Sequence, residues 1–295
     1  MPRGLQILTP PVGEPVSLCE AKQWARIFTP DDDALVQGLI VSARKYVEET
    51  YNLSLVSRTY RTTIDRFPRY SSSAVWQYNS DAIWQQRLPV TQLSGQWYPD
   101  RASIRLTRPP AQAVLQITYA DPLNIGNRLV VDPSVYNVDV TTSPARVAPA
   151  YGQIWPIVLQ QLASVQTDYV AGYGPVTNLT AAVAAGEQTV TPAGMFGIYE
   201  GALLCIDRWL NLFPNLRETV AVTATTPTTF TATFANAHNV NATVEPEMPE
   251  SVRTAIKLLV AYWYENRELA QPGALNAIPM GVESLLWGET PAEYE

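Results

Sequence analysis

The chain has 295 residues, of which 46% are apolar and 16% are charged. This balance can bury a core large enough for one large domain or two modest ones, and it excludes a disordered chain. The formal net charge is −7 and only three residues are lysines, which argues against a nucleic-acid-binding surface. No apolar run approaches the roughly 20 residues that span a bilayer, so we expect no membrane partner.

Two helices are predicted near the start of the chain. Ser17 and Glu20 have the spacing of a capping box, which indicates a short first helix. Three aspartates at 31–33 then precede apolar residues at three- and four-residue spacing, from Leu35 to Val47. The triplet could suggest a metal site. Consecutive acids on one helical turn point in different directions, so we interpret it as the start of a second helix.

Residues 58–170 change to the alternation of bulky and polar residues that is typical of strands, with Pro-Pro and Asp-Pro pairs as turns. The predicted strand segments are RTYRTTIDRF, SIRLTRPP, VLQITYADP, YNVDV and ASVQTDYVAGYG. Between the first two, residues 70–100 form a Ser-, Gln- and aromatic-rich stretch with three tryptophans. This stretch either packs on the body of the chain or anchors a partner, since aromatic residues are enriched at interfaces.

Residues 176–247 are nearly free of charge and rich in Thr and Ala. Short alternating stretches around Gly and Pro predict a small all-β module. We expect it to be inserted into a discontinuous domain formed by residues 1–175 and 248–295, because chain ends that lie close together tolerate insertions. Cys19 and Cys205 fall in different parts of this plan, and both are predicted to be buried, reduced thiols.

A third helix is predicted after Pro249, with a continuous apolar face. The fold class is therefore α+β: a core of three main helices with an antiparallel β region, plus the inserted module. The acidic tail after the helix contains one apolar motif, made of Val282, Leu285, Leu286 and Trp287. Such a tail is typical of a docking arm and also of a terminal turn that packs on its own core.

Charge is distributed unevenly along the chain. Residues 58–108 contain eight arginines against three aspartates, a net charge of +5, whereas residues 245–295 have a net charge of −6. The two segments could attract each other between neighbouring copies, or both could be ordinary solvated surfaces. On the first interpretation the candidate interface residues are the apolar motif of the tail together with Arg58, Arg61, Arg105 and Arg108.

The sequence lacks the residue patterns of common catalytic sites. His238 is the only histidine, so a Ser-His-Asp or Cys-His arrangement would have to use it. It lies in an Ala/Asn-rich segment, and we interpret it as a solvent-exposed or hydrogen-bonded loop residue. No zinc spacing, phosphate loop or GxGxxG motif is present, and the glycines of AGYGP suit turns that need a positive φ. We expect no enzymatic activity, no metal and no cofactor, although a pair of catalytic carboxylates would leave no short signature.

The order of these motifs resembles the head–tail connector (adaptor) family of long-tailed phages. The resemblance covers most of residues 5–174 and 248–288. The matching stretches are LTPPVGEPVSLCEAKQWARI, DDDALVQGLIVSARKYVEETYNLSL, RTYRTTIDRFP, IRLTRPPAQAVLQITYAD, DPSVYNVDV, ARVAPAYGQIWP, VQTDYVAGYG, PESVRTAIKLLVAYWYENRE and PMGVESLLW. The chain departs from the family pattern in the longer stretch at 70–100. It departs again in the β-module, which replaces a short loop and resembles small β-domains inserted in other phage structural proteins.

The resemblance implies a virion neck protein that is assembled in the host cytoplasm and has no catalytic residues. It implies a ring of identical subunits, usually twelve, between the portal protein and the stopper or tail-terminator protein. Genomic double-stranded DNA would pass through the ring without sequence-specific contact, and the C-terminal tail would reach the portal. An acidic channel lining would form few contacts with phosphates.

Two alternatives stay open. The chain could be a neighbouring neck protein, such as a stopper or tail-completion subunit. The inserted module could instead attach to a receptor or glycan through a stacking surface of Phe196, Tyr199 and Trp209, although these residues also suit a packed core.

Overall fold

The structure of the chain, a computed structural model, describes residues 4–11, 13–68, 103–174, 177–207, 216–266 and 280–289. These residues form both α-helices and antiparallel β-sheets, which confirms the α+β class. The tryptophan-rich stretch at 70–100, Trp209 and much of the acidic tail lie outside the described residues. Across the described ranges, no helix is both long enough and apolar enough to cross a bilayer.

The chain divides into two compact units. The first unit comprises residues 1–6, 61–106 and 113–169, and the second comprises residues 7–60, 107–112 and 170–295. The sequence predicted a different division, with boundaries near 175 and 248. Both of those boundaries fall within the second unit, and the inserted module stays a prediction.

The helices of the second unit share one apolar core. Those described are α1 (Leu18–Ala25), α2 (Asp33–Thr50), α3 (Glu250–Glu265) and α4 (Met280–Leu286). The first three lie where the sequence predicted helices. The hydroxyl of Ser17 accepts a hydrogen bond from the Glu20 N–H at 3.2 Å, so Ser17 caps α1 as predicted. One stripe of α2, which includes Val36, Ile40 and Val47, is fully buried at helical spacing.

Eight strands are described before residue 172. They are β1 (Gly4–Ile7), β2 (Arg58–Ile64), β3 (Ile104–Arg105), β4 (Ala111–Ala120), β5 (Arg128–Val130), β6 (Tyr136–Asp139), β7 (Arg146–Pro149) and β8 (Val165–Ala171). One sheet has the order β1-β2-β8-β4-β5, and a second has the order β3-β7-β6. In the first unit, the stacked rings of Phe67 and Trp155, with centroids 4.7 Å apart, form part of the buried apolar interior.

A third sheet follows in the second unit. Its strands are β9 (Thr177–Asn178), β10 (Gly186–Val190), β11 (Leu203–Ile206), β12 (Glu218–Thr225), β13 (Phe230–Phe234) and β14 (Thr243–Pro246), in the order β10-β13-β12-β11-β14-β9. All pairings described within it are antiparallel. Alternate residues of β13, Phe230, Ala232 and Phe234, point into an apolar core of this sheet's own.

Two smaller predictions have different outcomes. Gly172 has a φ of +135°, and a Cβ there would lie 2.5 Å from the backbone nitrogen of Ser57. The position therefore requires glycine, as predicted for the glycines of AGYGP.

Cys205 is buried in β11, but Cys19 is exposed, so the prediction of two buried thiols is wrong for Cys19. The reason is that α1 turns Glu20 and Ala21, rather than Cys19, towards the interior.

Candidate interaction surfaces

Arg58, the first of the predicted interface arginines, lies in a buried ion network of the second unit. Its guanidinium contacts Glu48, which also accepts a 2.9 Å hydrogen bond from Arg44. Arg44 in turn donates to Glu14 at 2.6 Å. Burial alone would lower the pKa of Arg44, but the carboxylates of Glu14 and Glu48 outweigh it and raise the pKa. These contacts hold the Arg58 side chain inside its own chain.

Arg61 makes a bidentate ion pair in the first unit. Its Nε and Nη2 donate to the two carboxylate oxygens of Asp168 at 2.6 and 2.7 Å. Gln116 donates to the same carboxylate at 2.9 Å. Burial alone would raise the pKa of Asp168, but the hydrogen bonds from Arg61 and Gln116 outweigh it and hold the pKa below its usual value.

The other two predicted interface arginines, Arg105 and Arg108, also lie in different units. Arg108, at a positive φ of 62°, donates to the backbone carbonyl of Glu48 in the second unit. Arg105 is half-buried in β3 of the first unit. The structure therefore brings Arg58 and Arg108 together at Glu48 and places Arg61 and Arg105 elsewhere. Their role in an interface between chains stays a prediction.

The apolar motif of the tail forms the described end of the chain. Val282 and Leu286, one turn apart on α4, are fully buried in the helical core, and Leu285 packs partly against it. Trp287 follows the helix with 84% of its surface exposed. Of the four predicted docking residues, Trp287 therefore has the side chain with the greatest area open to a partner.

The first unit contains a group of exposed apolar residues that was not predicted from the sequence. They lie in the turn between β4 and β5 and in the segment between β7 and β8. The most exposed of them are Leu123, Ile125, Tyr151, Ile154, Ile157 and Leu162. One signal could have found them, because residues 150–163 contain no charged residue although they form no strand or helix.

His238 is buried, and each of its ring nitrogens faces a carboxylate. Nδ1 contacts Asp207, and Nε2 lies 2.5 Å from Glu218. Glu218 also accepts the backbone N–H of Ala235 at 2.6 Å. Both ring nitrogens therefore have carboxylate partners within the second unit. The hydrogen-bonded interpretation of His238 is confirmed and the solvent-exposed one is wrong, because bonds between His238 and Val183 hold this segment against the third sheet.

Two further features concern ligand binding. Within the described ranges, no group of three or more His, Cys, Asp or Glu residues could hold a metal ion. Phe196 and Tyr199 of the predicted stacking surface are both moderately exposed, and burial raises the pKa of Tyr199. Because Trp209 lies outside the described residues, the stacking surface stays a prediction.

No protein-family model matches the chain, and no curated protein is similar to it in sequence. Chains with a similar fold occur in solved structures, among them the following three. They are "Neck of empty GTA particle computed with C6 symmetry" (15% identity, TM-score 0.53), "Virion of native gene transfer agent (GTA) particle" (15%, 0.52) and "Neck of native GTA particle computed with C12 symmetry" (14%, 0.51). Each match covers 99% of this chain and 97% of the other.

Proposed function

We propose that this chain is a structural protein of the neck of a phage-like virion. The observation that carries the proposal is a fold shared over 99% of this chain with chains of gene transfer agent particles, two of them described as necks. Because the match covers 99% of the chain, we extend the proposed neck role to the third sheet, whether or not that sheet is an insertion.

Within the neck, we propose the head–tail connector (adaptor), which forms a ring between the portal protein and the stopper or tail-terminator protein. The order of sequence motifs supports this position. The related necks were computed with C6 and with C12 symmetry, and a ring of twelve copies satisfies both. Identical copies close into a ring through contacts between two different faces.

The ring would pass double-stranded DNA without holding it. Phosphate-binding surfaces depend on lysine and arginine, and this chain has a net charge of −7. Arg58, Arg61 and Arg108 have partners inside the chain, which reduces the positive charge that they offer to DNA. The role requires no catalysis, and His238 is held by two carboxylates rather than poised beside a nucleophile.

A neighbouring neck protein, the stopper or tail-completion subunit, is the second candidate. It is supported by the same likeness, because the names of the related structures give the neck and not a particular ring.

The decisive experiment is electron microscopy and native mass spectrometry of the purified full chain, alone and with purified portal protein. We expect rings of twelve copies that attach to the portal. Persistent monomers that do not bind the portal would contradict the proposal. The position of the chain's density in a virion reconstruction distinguishes a connector, which touches the portal, from a stopper, which does not.

A further inference from the structure

Four apolar side chains at one end of the five-stranded sheet are largely exposed to solvent. Leu123 and Ile125 in the turn after β4 are 88% and 89% exposed. Ile157 and Leu162, in the segment before β8, are 72% and 84% exposed. Val130 on β5 adds a fifth side chain that is 62% exposed. We call these five residues the tip surface. Monomeric proteins seldom present so many large apolar side chains in one place.

The two segments lie beside each other. The Leu159 N–H donates to the Ala120 carbonyl at 3.2 Å, and the Ala120 N–H donates to the Ser164 carbonyl at 2.8 Å. The Arg128 guanidinium also reaches the Ser164 carbonyl, at 3.0 Å. Hydrogen bonds of Ala120, at the end of β4, and of Arg128, at the start of β5, therefore hold the turn and the segment before β8 next to each other.

Polar side chains fix both segments in these positions. The Asp121 carboxylate accepts the backbone N–H of Leu123 at 2.8 Å, and this bond, with one from Asn124, lowers the pKa of Asp121. The Ser164 hydroxyl donates to the carbonyls of Leu159 and Gln161. A surface that is organised before it binds loses less conformational entropy on binding. The exposed residues are thus presented by a fixed scaffold.

The composition of the tip surface restricts its partner. No charged residue occurs at 122–127 or at 150–163, so the surface suits neither DNA nor an acidic or basic peptide. If each of the five side chains offers roughly 100 Å² of apolar area, the tip surface offers about 500 Å². This area is more than half of the ~800 Å² per partner of a standard interface.

At the opposite edge of the same sheet, too, no further strand is paired among the residues that the structure describes. β5 is the last strand in the order at one side, and β1 is the last at the other side. All four residues of β1 are exposed, including the apolar Leu5 and Ile7 on one face of the strand. Two edges without a further described strand, both with exposed apolar residues, favour association between copies of this chain.

We propose that the tip surface and β5 edge of one copy pack against the β1 edge of the next copy, which forms the head-to-tail junction of the ring. This inference rests on the proposed function, since a ring requires two different faces on each subunit. We take a second copy as the occupant because each copy carries both the tip surface and an exposed, uncharged β1 edge, and because uncharged, apolar contacts are typical of permanent homomeric interfaces. The predicted Arg/Glu attraction is not needed for this junction.

The test uses two full-length double variants, each of which removes one face. Leu123→Ser/Ile125→Ser removes apolar area from the tip surface, and Leu5→Lys/Ile7→Lys places charge on the β1 edge. Phe28→Ser is the control, because Phe28 is equally exposed but lies in the second unit between α1 and α2. Circular dichroism and thermal unfolding should be unchanged in all three. Assembly is followed by mass photometry over a concentration series.

We expect wild-type chain and Phe28→Ser to form rings. Each double variant should remain monomeric at concentrations on the order of a hundredfold above wild-type assembly, since two large apolar contacts are lost or blocked. An equal mixture of the two variants should form dimers and nothing larger, because each retains the face that the other needs. Rings formed normally by the tip variant, or a mixture that stays monomeric, would overturn the inference and leave the proposed function standing. A wild-type chain that forms no ring would contradict both.

Discussion

Asp168 connects three neighbouring strands of the first unit. It lies on β8, and its carboxylate accepts bonds from Arg61 on β2 and Gln116 on β4, the strands on either side. The Arg128 guanidinium adds a favourable charge nearby. A carboxylate with this many donors is stabilised in its ionised form, so its pKa is lower in the folded chain than in the unfolded chain. The free energy of unfolding must therefore depend on pH at this residue.

We predict that Asp168→Asn lowers the free energy of unfolding by about 2 kcal/mol at pH 7, because it weakens charged hydrogen bonds to a half-buried arginine. The contribution of Asp168 is complete above the pKa of an unfolded aspartate, about 4, and decreases as pH falls through the lower pKa of the folded state. Urea unfolding of both chains between pH 7 and pH 3 measures it. The gap between wild type and variant should shrink below about pH 4, and a gap that is constant with pH would contradict this.

The arginines could be picked out from the sequence, but their partners could not. Arg61 and its partner Asp168 are 107 residues apart in the chain, and Arg108 is 60 residues from Glu48. Both carboxyl-bearing residues lie outside the segment 58–108 whose charge was counted. A count along the chain therefore registers a basic segment, whereas folding brings in acceptors from elsewhere, the Asp168 carboxylate of β8 and the Glu48 carbonyl of α2. The partners of His238 were equally hidden in the sequence, because Asp207 and Glu218 come close to it only when the third sheet has formed.

Among the secondary-structure elements, the long helices were the most predictable from the sequence, because their apolar residues repeat over several turns. α2 runs for 18 residues and α3 for 16, and their apolar stripes were evident in the sequence. α4 has seven residues, which is too short for a helical period to stand out. The predicted strand SIRLTRPP forms only Ile104–Arg105 as a strand, because the backbone leaves the extended conformation at Arg108, which has a φ of 62°, and the prolines that follow cannot donate to a sheet.

The short α4 also separates two functions that the apolar motif of the tail could have. Val282 and Leu286 stabilise the helical core, while Trp287 projects beyond it. We predict that Trp287→Ala weakens attachment to the portal protein at least tenfold and leaves the thermal unfolding temperature unchanged, because the side chain has few contacts within its own chain. Pull-down titration with purified portal measures the loss.

Val282→Ala is the matched comparison for Trp287→Ala. It should lower the free energy of unfolding by about 1–3 kcal/mol, since it opens a cavity in a packed core, and it should affect portal attachment only through stability. Portal attachment that is unaffected by Trp287→Ala would rule out a docking role for this residue. Deletion of the whole tail could not distinguish these cases, because it removes the core contacts of α4 as well.

For the whole molecule, the main feature is the connection between the helical core and the third sheet. Tyr173, just before the sheet, packs against the helical core, and Met248, just after it, is buried in the same core. The chain therefore leaves and re-enters at one cluster, as an insertion would. The third sheet also has its own separate apolar core. The helical core and the third sheet nevertheless belong to the same compact unit. The Arg253 Nη1 of α3 lies 3.9 Å from the Glu245 Oε2 of β14.

We predict that replacing residues 177–246 with a Gly/Ser linker of about ten residues, which spans roughly 17 Å, leaves α1–α4 folded. The helical core keeps all of its own buried residues, and Arg253 keeps its contacts with Glu20 and the Pro15 carbonyl. The change also removes Glu245, so Glu245→Gln in the full chain is the control and should cost about 1 kcal/mol. Far-ultraviolet circular dichroism and urea unfolding are the measurements. A helical signal that unfolds cooperatively supports an insertion. A shortened chain without that signal, beside a folded Glu245→Gln control, would mean that the helices require the third sheet and that the two form one folding unit.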